Sequence, residues 1–483
     1  MNITTAIIAI IVCAASVPAL VKFMHMFQLS GYKAAAYFRW LKANPGKAVF
    51  GLPAKNAKKP LVYTGRVTRM FVTLGVLFLA AVAAALFAPA PFGIIALIVY
   101  FLLTPVLPII VNFINAPAEA AVRAWYIRDA KKILASHPAL TVIGITGSYG
   151  KTSFKYALAH ILKARFETLM TPESYNTPMG VTITIRGNLR PTHEIFVCEM
   201  GAKFKGDIKA VCDIVSPEHG VITSIGEQHL ETFKTIEMIV ATKMELADAV
   251  KGKGMLYLGA DSKTLHENIP AQPHTNYGIG ADNDCRAFDI SLSPQGTVFS
   301  VALSNGETLK DLRMPLVGEH NVINITGATA LALALGVPES DIRQRLLTLK
   351  PAPHRLELIT RDGLTILDDS YNSNPAGTTA ALRTLSLFDG QKILVTPGMV
   401  ELGAAQDEEN KKFGERAATV CDRVYLIGAR QTKPIRDGLI AGGFAESRII
   451  TEENFAAAMA KIQTLPAAGD KVVLIENDLP DNY

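Results

Sequence analysis

Residues 141–153 constrain the fold most strongly, because an apolar run breaks there into a glycine-rich turn: Thr-Val-Ile-Gly-Ile-Thr-Gly-Ser-Tyr-Gly-Lys-Thr-Ser. The pattern predicts a buried strand, a tight loop and the start of a helix. Such a loop points backbone N–H groups at an anion, and the helix start adds a partial positive charge. Lys151 would reach the terminal phosphates of a nucleotide, and the Thr152 hydroxyl would join a magnesium shell. Ile145 stands where a Walker A loop has its first glycine, so an ordinary strand-to-helix turn with a chance lysine remains an alternative.

Strand-like and helix-like segments alternate from about residue 140, which predicts a parallel sheet with its ligands at the carboxyl ends of the strands. Residues 284–317 instead predict a small antiparallel insertion, because turn residues separate three strand-like runs. A proline-containing linker at Lys350–His354 precedes a second alternating series. The sequence therefore predicts an α/β protein with a P-loop ATP-binding domain at 139–351 and a doubly wound, Rossmann-like domain at 352–483.

Charge is distributed unevenly along the chain. Residues 1–118 contain ten of the 48 Lys and Arg and none of the 43 Asp and Glu, so the formal net charge of +5 arises there. The rest of the chain is net acidic. A basic segment confined to an apolar terminus indicates a membrane partner and argues against a nucleic-acid partner.

Three apolar stretches, at about 3–23, 70–88 and 92–114, are each long enough to cross a bilayer as a helix. The segment 25–69 is basic, as cytoplasmic loops are. We therefore expect a three-helix transmembrane segment, followed by a linker at 119–138. The protein would lie in the bacterial cytoplasmic membrane as a multi-pass protein with cytoplasmic catalytic domains. A cleaved signal peptide and buried helices of a soluble protein remain alternatives.

Three further residues have side chains suited to a metal site. Glu199 follows the apolar run Ile195–Cys198, so its carboxylate would emerge at a strand end beside the loop, where magnesium shared with phosphate needs oxygen ligands. A solvated surface charge is the alternative. His229 would bind a metal or simply pack, and Lys243, in a predicted helix, would by itself be an exposed lysine.

These motifs together resemble the Mur ligases, the ATP-dependent amide-bond-forming enzymes of peptidoglycan synthesis. The short phosphate loop of that family accounts for the missing Walker glycine. The matching motifs are, in order, Thr146–Thr152, Glu199 in Cys-Glu-Met-Gly-Ala, His229-Leu-Glu231, Lys243, Gly318-Glu-His-Asn321, Pro353-His-Arg355, Asp368–Pro375 and Glu476–Pro480. Asp-Asp-Ser-Tyr-Asn and Glu401-Leu-Gly most resemble the branch of the family that adds D-alanyl-D-alanine.

The resemblance implies roles for the matching residues. The ATP-binding residues would be Gly147, Ser148, Gly150, Lys151, Thr152, Asn321, Arg355 and Asp369. The ligands of Mg²⁺ would be Thr152, Glu199, His229 and a carbamylated Lys243. The catalytic residues would be Lys151, Lys243 and His229. The residues that face the substrate would be Asn176, Thr177, Asn372 and Asn374.

The resemblance also implies the reaction, in which ATP activates a carboxylate as an acyl phosphate and an amine then displaces phosphate. The partners would be a muropeptide-type or lipid-linked precursor and an amine donor. Two departures bear on these partners: apolar spans stand in place of the family's UDP-binding domain, and Thr396-Pro-Gly-Met399 replaces Gly-Asp-Met. A non-catalytic nucleotide-binding membrane scaffold and a P-loop transport ATPase are the alternatives from other classes.

Overall fold

The computed structural model describes residues 3–44, 60–87, 92–228, 230–361, 363–371, 373–466 and 469–478. His229 and Asn372 lie outside these described residues. The chain divides into two compact units, of which the first ends at Trp125 and the second extends from Tyr126 to Asp478.

The first unit is helical in its described residues. Its helices are α1 (Ile3–Leu29), α2 (Ala34–Ala43), α3 (Gly65–Phe87), α4 (Phe92–Leu102) and α5 (Leu107–Ala135), the last of which continues into the second unit. Tyr37 of α2 is buried in the core of this unit, and its hydroxyl donates to the carbonyl of Pro105 at 2.7 Å. The predicted linker at 119–138 is therefore mostly the second half of α5.

The third apolar span differs from its prediction. Instead of one helix over 92–114, α4 and α5 meet at a 90° bend. Pro105 lies in the turn between them, where proline removes a backbone donor and moves the preceding residue out of the helical region. Among the described residues, two helical segments are long and apolar enough to cross a membrane by themselves, Ile10–Leu29 and Gly65–Phe87.

The larger sheet of the second unit has nine strands in the order β2-β3-β1-β4-β5-β6-β7-β8-β9. The strands are β1 (Thr141–Thr146), β2 (Thr168–Met170), β3 (Ile195–Glu199), β4 (His219–Ile222), β5 (Leu256–Gly259), β6 (Thr275–Gly278), β7 (Cys285–Ser293), β8 (Gly296–Ala302) and β9 (Thr308–Met314). Neighbours from β2 to β7 pair in parallel, whereas β7, β8 and β9 pair antiparallel. The predicted antiparallel insertion therefore extends the parallel sheet instead of forming a sheet of its own.

Helices cover both faces of this sheet. They are α6 (Lys151–Leu162), α7 (Pro178–Asn188), α8 (Asp207–Val215), α9 (Leu230–Phe233), α10 (Ile236–Val250), α11 (Lys263–His266), α12 (Glu319–Ala334) and α13 (Glu339–Leu347). The apolar side chains of α6 and α12, such as Phe154 and Leu331, share one core, and those of α8 and α10, such as Val211 and Leu246, share another. Two cores on opposite faces hold the strand ends that carry the candidate site in a fixed frame.

The second sheet has six strands in the order β10-β11-β15-β12-β13-β14, parallel except for the edge strand β10. The strands are β10 (Glu357–Arg361), β11 (Leu364–Asp369), β12 (Gln391–Thr396), β13 (Arg423–Ile427), β14 (Ile449–Glu452) and β15 (Lys471–Glu476). The helices are α14 (Pro375–Ser386), α15 (Gln406–Ala418), α16 (Lys433–Ala441) and α17 (Phe455–Thr464). The α/β class with a large parallel sheet and a second sheet agrees with the sequence prediction, whereas the antiparallel edge β10 was not predicted.

Two helices of the C-terminal sheet approach each other through glycine. A Cβ atom at Gly414 of α15 would lie 2.1 Å from the carbonyl oxygen of Ile435 in α16. Gly438 of α16 makes the reciprocal approach, because its Cβ would lie 2.0 Å from the carbonyl oxygen of Lys411. Backbone atoms cannot yield as a flexible side chain does, so this helix pair depends on the missing Cβ atoms.

We predict that Gly414→Ala lowers the free energy of unfolding by about 1–3 kcal/mol, because the new methyl group separates α15 from α16. The measurement is urea denaturation of the full chain. The matched control is Gly187→Ala near the end of α7, where nothing lies within 4 Å of the added Cβ. Alanine there should be neutral or stabilising by about 0.5–1 kcal/mol. Equal effects of the two substitutions would contradict the packing argument.

Candidate active site

A cavity of about 930 Å³ opens at the carboxyl ends of the strands of the larger sheet and is also lined by residues of the second sheet. This position is where parallel α/β sheets bind their ligands. Most of the site residues predicted from the sequence line it. They include Ser148, Gly150, Lys151, Thr152, Asn176, Thr177, Glu199, Lys243, Arg355, Asp369 and Asn374.

The glycine loop between β1 and α6 is fixed to the loop that follows β4. Gly147 has φ of +149°, and a Cβ there would lie 2.1 Å from Thr223 Oγ1. Ser148 donates its amide to the carbonyl of Ser224 at 2.8 Å and its hydroxyl to the carbonyl of Gly226 at 2.9 Å. Gly150 has φ of +81°, a left-handed conformation that glycine adopts without strain. The side chain of Ser148 therefore shapes the loop and is not free for a ligand.

The residues of this loop fit a nucleotide phosphate. The first amide groups of helix α6 have no intrahelical acceptor, and Gly150 offers no capping side chain to them. Residues 150–153 line the cavity, so the start of the helix lies at its wall, as in anion sites. Lys151 Nζ donates to the carbonyls of Gly147 and Ser148, at 2.7 and 2.9 Å. Burial lowers the pKa of Lys151 to about 8, although the Glu199 carboxylate opposes that shift.

Oxygen atoms suited to Mg²⁺ lie beside the loop. Thr152 Oγ1 and Asn176 Nδ2 lie 3.2 and 3.0 Å from Glu199 Oε1 at the end of β3. Burial raises the pKa of Glu199, but the ammonium groups of Lys155 and Lys151 and the Asn176 hydrogen bond outweigh it, so the pKa is lowered. An ionised carboxylate next to the hydroxyl of Thr152, the residue after Lys151, fits a magnesium ion that also binds phosphate.

Lys243 lies on α10, where it is only 2% exposed and lines the same cavity. Its ammonium makes no hydrogen bond or ion pair with any residue that the structure describes. Burial and the Lys151 ammonium lower the pKa of Lys243 well below its usual value, although the carboxylates of Asp207, Glu245 and Glu199 oppose the shift. The structure therefore excludes the exposed helical lysine that the sequence pattern alone would give.

The second sheet contributes a cation and two carboxylates. Arg355 stacks on the ring of Tyr371 at 4.3 Å, and both side chains line the cavity. Asp369 ends β11 and is paired in register with Glu476, which ends β15. Burial raises the pKa of Asp369 to about 6, while Arg355 lowers it. Burial and Asp369 also raise the pKa of Glu476 well above its usual range, and Ser373 Oγ donates to Glu476 Oε1 at 2.7 Å.

Three of the predicted ligand-binding residues use their side chains in hydrogen bonds within the protein. The side-chain amide of Asn321 donates to the carbonyl of Val317 at 2.9 Å. Asn321 is not one of the described residues that line the cavity. Thr177 caps α7 by accepting from the amide of Gly180 at 3.2 Å. Asn374 caps α14, because its Oδ1 accepts from the amide of Gly377 at 2.8 Å. The predicted roles of His229 and Asn372 fall outside the described residues.

Sequence reasoning missed three residues of the site. Lys155 is fully buried and forms an ion pair with Glu199, and its position one turn after Lys151 on α6 was an available signal. His320, in the quoted Gly-Glu-His-Asn motif, lines the cavity, and burial lowers its pKa to about 4. Glu476 was quoted within a motif, but its pairing with Asp369 requires the strand order of the second sheet, which no local pattern reveals.

Comparison with known protein families identifies two domains in this chain. Residues 145–332 match the Mur ligase middle domain, and residues 354–475 match the Mur ligase glutamate ligase domain. The matched segments contain the glycine loop, Glu199, Lys243, Arg355 and Asp369, whereas Glu476 follows the last matched residue.

The chain is also similar to individual ligases. It is 34% identical to the UDP-N-acetylmuramoyl-tripeptide–D-alanyl-D-alanine ligase of Bacillus subtilis over 59% of this chain and 62% of that protein. It is 30% identical to the Escherichia coli enzyme of the same name, over 69% and 75%. The MurF ligase of Thermotoga maritima in complex with ADP superposes with a TM-score of 0.65 at 27% identity, over 74% of this chain and 80% of that one. This chain thus spans about three fifths of the Bacillus relative and three quarters of the E. coli relative.

These relatives contradict the predicted localisation as a multi-pass protein of the bacterial cytoplasmic membrane. They are MurF enzymes, which are soluble cytoplasmic proteins. The two sufficiently long apolar segments, Ile10–Leu29 and Gly65–Phe87, are weak support for a membrane protein, because length and composition are their only qualification. An apolar composition without acidic residues does not by itself distinguish helices that span a membrane from helices that bury their apolar surface against protein.

Mur ligases form amide bonds and use ATP and Mg²⁺, and the glycine loop with the adjoining Glu199 and Thr152 fits both ligands. Both matched domains occur in family order, and the alignment with the E. coli ligase extends over three quarters of that protein. The chain belongs to the Mur ligase family.

Proposed function

We propose that this protein is a MurF-like ligase that joins D-alanyl-D-alanine to the tripeptide carboxylate of a UDP-N-acetylmuramoyl-tripeptide. The proposal is carried by one observation: a single cavity brings together the phosphate loop, the Glu199–Thr152 oxygen pair, Lys243 and the Arg355–Asp369 pair from the second sheet. The similarity to D-alanyl-D-alanine ligases supports the choice of substrates.

The positions of the side chains suit phosphoryl transfer to a carboxylate. The substrate carboxylate attacks the γ-phosphate of ATP, which gives an acyl phosphate and ADP, and the amine of the second substrate then displaces phosphate. Lys151 and the amides of α6 would hold the phosphates as negative charge moves onto the leaving oxygen. Glu199 and Thr152, with Lys243, would hold Mg²⁺, which when bound offsets the charge of the phosphates.

The arrangement of the two sheets suits a reaction that must exclude water. An acyl phosphate is hydrolysed if water reaches it, and closure of a domain over the cavity prevents this. Two ion pairs join the domain of the larger sheet to that of the second sheet, Lys203 with Glu401 at 3.3 Å and Arg383 with Glu319 at 3.6 Å. Exposed pairs of this kind contribute little energy each, so they would bias closure without locking it.

We predict that sustained ADP release requires ATP, Mg²⁺, the UDP-linked tripeptide and D-alanyl-D-alanine together, because the amine must displace phosphate before another turnover begins. The product should be identified by mass as the tripeptide extended by the dipeptide. A parallel reaction replaces the UDP-linked precursor with its lipid-linked form, and turnover confined to that reaction would change the acceptor but not the chemistry. ADP release that no pair of carboxylate and amine stimulates would contradict the proposal.

Lys243 would act as a carbamate. Its neutral amine would add CO₂ and lose a proton, so that an ammonium becomes a carboxylate-like oxygen ligand. A lowered pKa favours this reaction because only the uncharged amine attacks CO₂. The buried position of Lys243, without a partner among the described residues, also leaves room for a group that would bring its own charge.

We predict that ¹³C-bicarbonate gives a carbamate resonance in the NMR spectrum of the protein and that Lys243→Met abolishes it. Turnover should fall by about 10²–10³-fold, because a ligand that offsets phosphate charge is lost. The matched control is Lys251→Met at the end of the same helix, where the lysine is exposed. Loss of turnover in Lys243→Met with no carbamate resonance in the native protein would contradict the carbamate role.

Asp369 would contact the nucleotide as an ionised carboxylate. Because burial raises the pKa of Asp369 in the folded protein, its titration should also affect the free energy of unfolding. Its folded-state pKa of about 6 exceeds the usual value of 3.8, so folding favours the protonated form. The stability associated with this proton is present below pH 4 and is lost as the pH rises through about 6. At neutral pH the buried carboxylate therefore opposes folding.

We predict that Asp369→Asn stabilises the protein by about 1–3 kcal/mol at pH 7.5 and that this gain shrinks as the pH falls toward 4. The measurement is urea denaturation at several pH values. The matched control replaces an exposed carboxylate, Asp389→Asn, which should change stability by less than about 0.5 kcal/mol at each pH. A gain for Asp369→Asn that is larger at low pH would have the wrong sign.

A further inference from the structure

Lys155 is a buried cation next to the candidate metal site. It lies on α6 one turn after Lys151, its side chain is 0% exposed, and its Nζ lies 3.1 Å from Glu199 Oε2. The same ammonium also donates to the carbonyl of Glu173. Burying a lysine costs free energy that a single ion pair often fails to recover. A lysine at this position therefore calls for a reason beyond stability.

The contacts of Glu199 divide its carboxylate into two unlike oxygens. Oε2 is buried, accepts no hydrogen bond from the described residues and forms an ion pair with Lys155 at 3.1 Å. Oε1 accepts hydrogen bonds from Thr152 Oγ1 at 3.2 Å and Asn176 Nδ2 at 3.0 Å, and Glu199, Thr152 and Asn176 all line the cavity. The ammonium of Lys155 would repel a cation placed against Oε2. One oxygen of Glu199 is therefore left for a divalent ion that approaches from the cavity.

The number of available carboxylate oxygens affects which divalent ion is held. Mg²⁺ is small and takes six ligands at 2.0–2.1 Å in near-octahedral geometry, as is general for this ion. Ca²⁺ is larger, takes about 6–8 ligands and often uses both oxygens of one carboxylate. A carboxylate that offers one oxygen next to a hydroxyl therefore suits Mg²⁺ and penalises Ca²⁺.

We propose that Lys155 is a specificity-determining residue of this site: by occupying Glu199 Oε2, it restricts Glu199 to a one-oxygen ligand and so favours Mg²⁺ over Ca²⁺. This inference rests on the proposed function, in which Glu199 and Thr152 hold the metal of the nucleotide. Lys155 acts through Glu199 and is not a catalytic residue.

The test measures ADP binding to the full chain by calorimetry, as a function of either MgCl₂ or CaCl₂. The readout is the ratio of the two metal concentrations that give half-maximal ADP binding. We expect the native protein to prefer Mg²⁺ over Ca²⁺ and Lys155→Met to reduce that preference by about 10-fold, the lower end of the change in metal affinity that substitutions behind metal ligands cause. Removal of the Lys155 charge strengthens the binding of both ions. Only the ratio of the two half-maximal metal concentrations therefore shows whether Glu199 Oε2 has become available as a second ligand atom.

Two further variants complete the test. Lys163→Met changes an exposed lysine at the end of the same helix and should leave the ratio unchanged. Lys155→Gln keeps one N–H donor for Oε2, so it should narrow the preference less than Lys155→Met does. If circular dichroism shows that Lys155→Met does not fold, the ratio in folded Lys155→Gln decides.

Each outcome has a distinct meaning. A preference for Mg²⁺ that is unchanged in the folded Lys155 variants overturns the role of Lys155 and leaves the proposed function intact. ADP binding by the native protein that neither metal affects instead overturns the metal site on which the proposed function depends. A narrowed ratio in the Lys155 variants, with Lys163→Met unchanged, supports the inference.

Discussion

The candidate site depends on the electrostatic interaction of the buried Glu199 carboxylate with the ammonium groups of Lys155 and Lys151. The carboxylate lies at the end of β3, next to the strand that leads into the phosphate loop, and two ammonium groups hold it ionised inside the protein. A charge in this position is tolerable only because hydrogen bonds and cations surround it. The same groups fix the direction of each oxygen, so charge balance and geometry are established together before any ligand binds.

The second sheet completes the site with groups that the first sheet lacks. Arg355 and Asp369 reach the cavity from beyond the linker, and Asp369 shares its strand end with Glu476. Two carboxylates this close disfavour ionising together, so the pair holds a proton at a pH where isolated carboxylates have none. A nucleotide or cation bound in the cavity would therefore change how readily Asp369 and Glu476 hold this proton.

Local sequence patterns predicted the features that local physics determines. The strand, glycine loop and helix start at 141–153 form as expected, and Glu199 ends a strand beside them, because a parallel sheet places these carboxyl ends together. Side-chain direction was less accessible. Asn321, which was expected to contact the adenine, lies in the first turn of α12 and donates to the carbonyl of Val317, whereas His320 and Asn324 line the cavity.

Features that depend on long-range pairing were not accessible from the sequence. The antiparallel strands β7–β9 continue the parallel sheet through the pairing of Tyr277 with Cys285, which no turn signal indicates. The hydropathy of residues 92–114 predicted one helix, because the apolar run continues across Pro105. The backbone bends by 90° at this point instead. The localisation inferred from the hydropathy was wrong for a related reason. A long apolar stretch shows that a helix is buried away from water, but it does not show whether lipid or protein covers it.

The hydrogen bonds of Lys151 have a consequence for how a nucleotide enters and leaves. The ammonium closes the loop on itself by binding the carbonyls of Gly147 and Ser148. An arriving phosphate therefore competes with two acceptors already in place, and a departing one leaves them ready to be bound again. A loop already ordered by these two hydrogen bonds would lose little further conformational entropy when a phosphate binds. The affinity of the loop for phosphate would then reflect an exchange of partners by the Lys151 ammonium, from two carbonyl oxygens to phosphate oxygens.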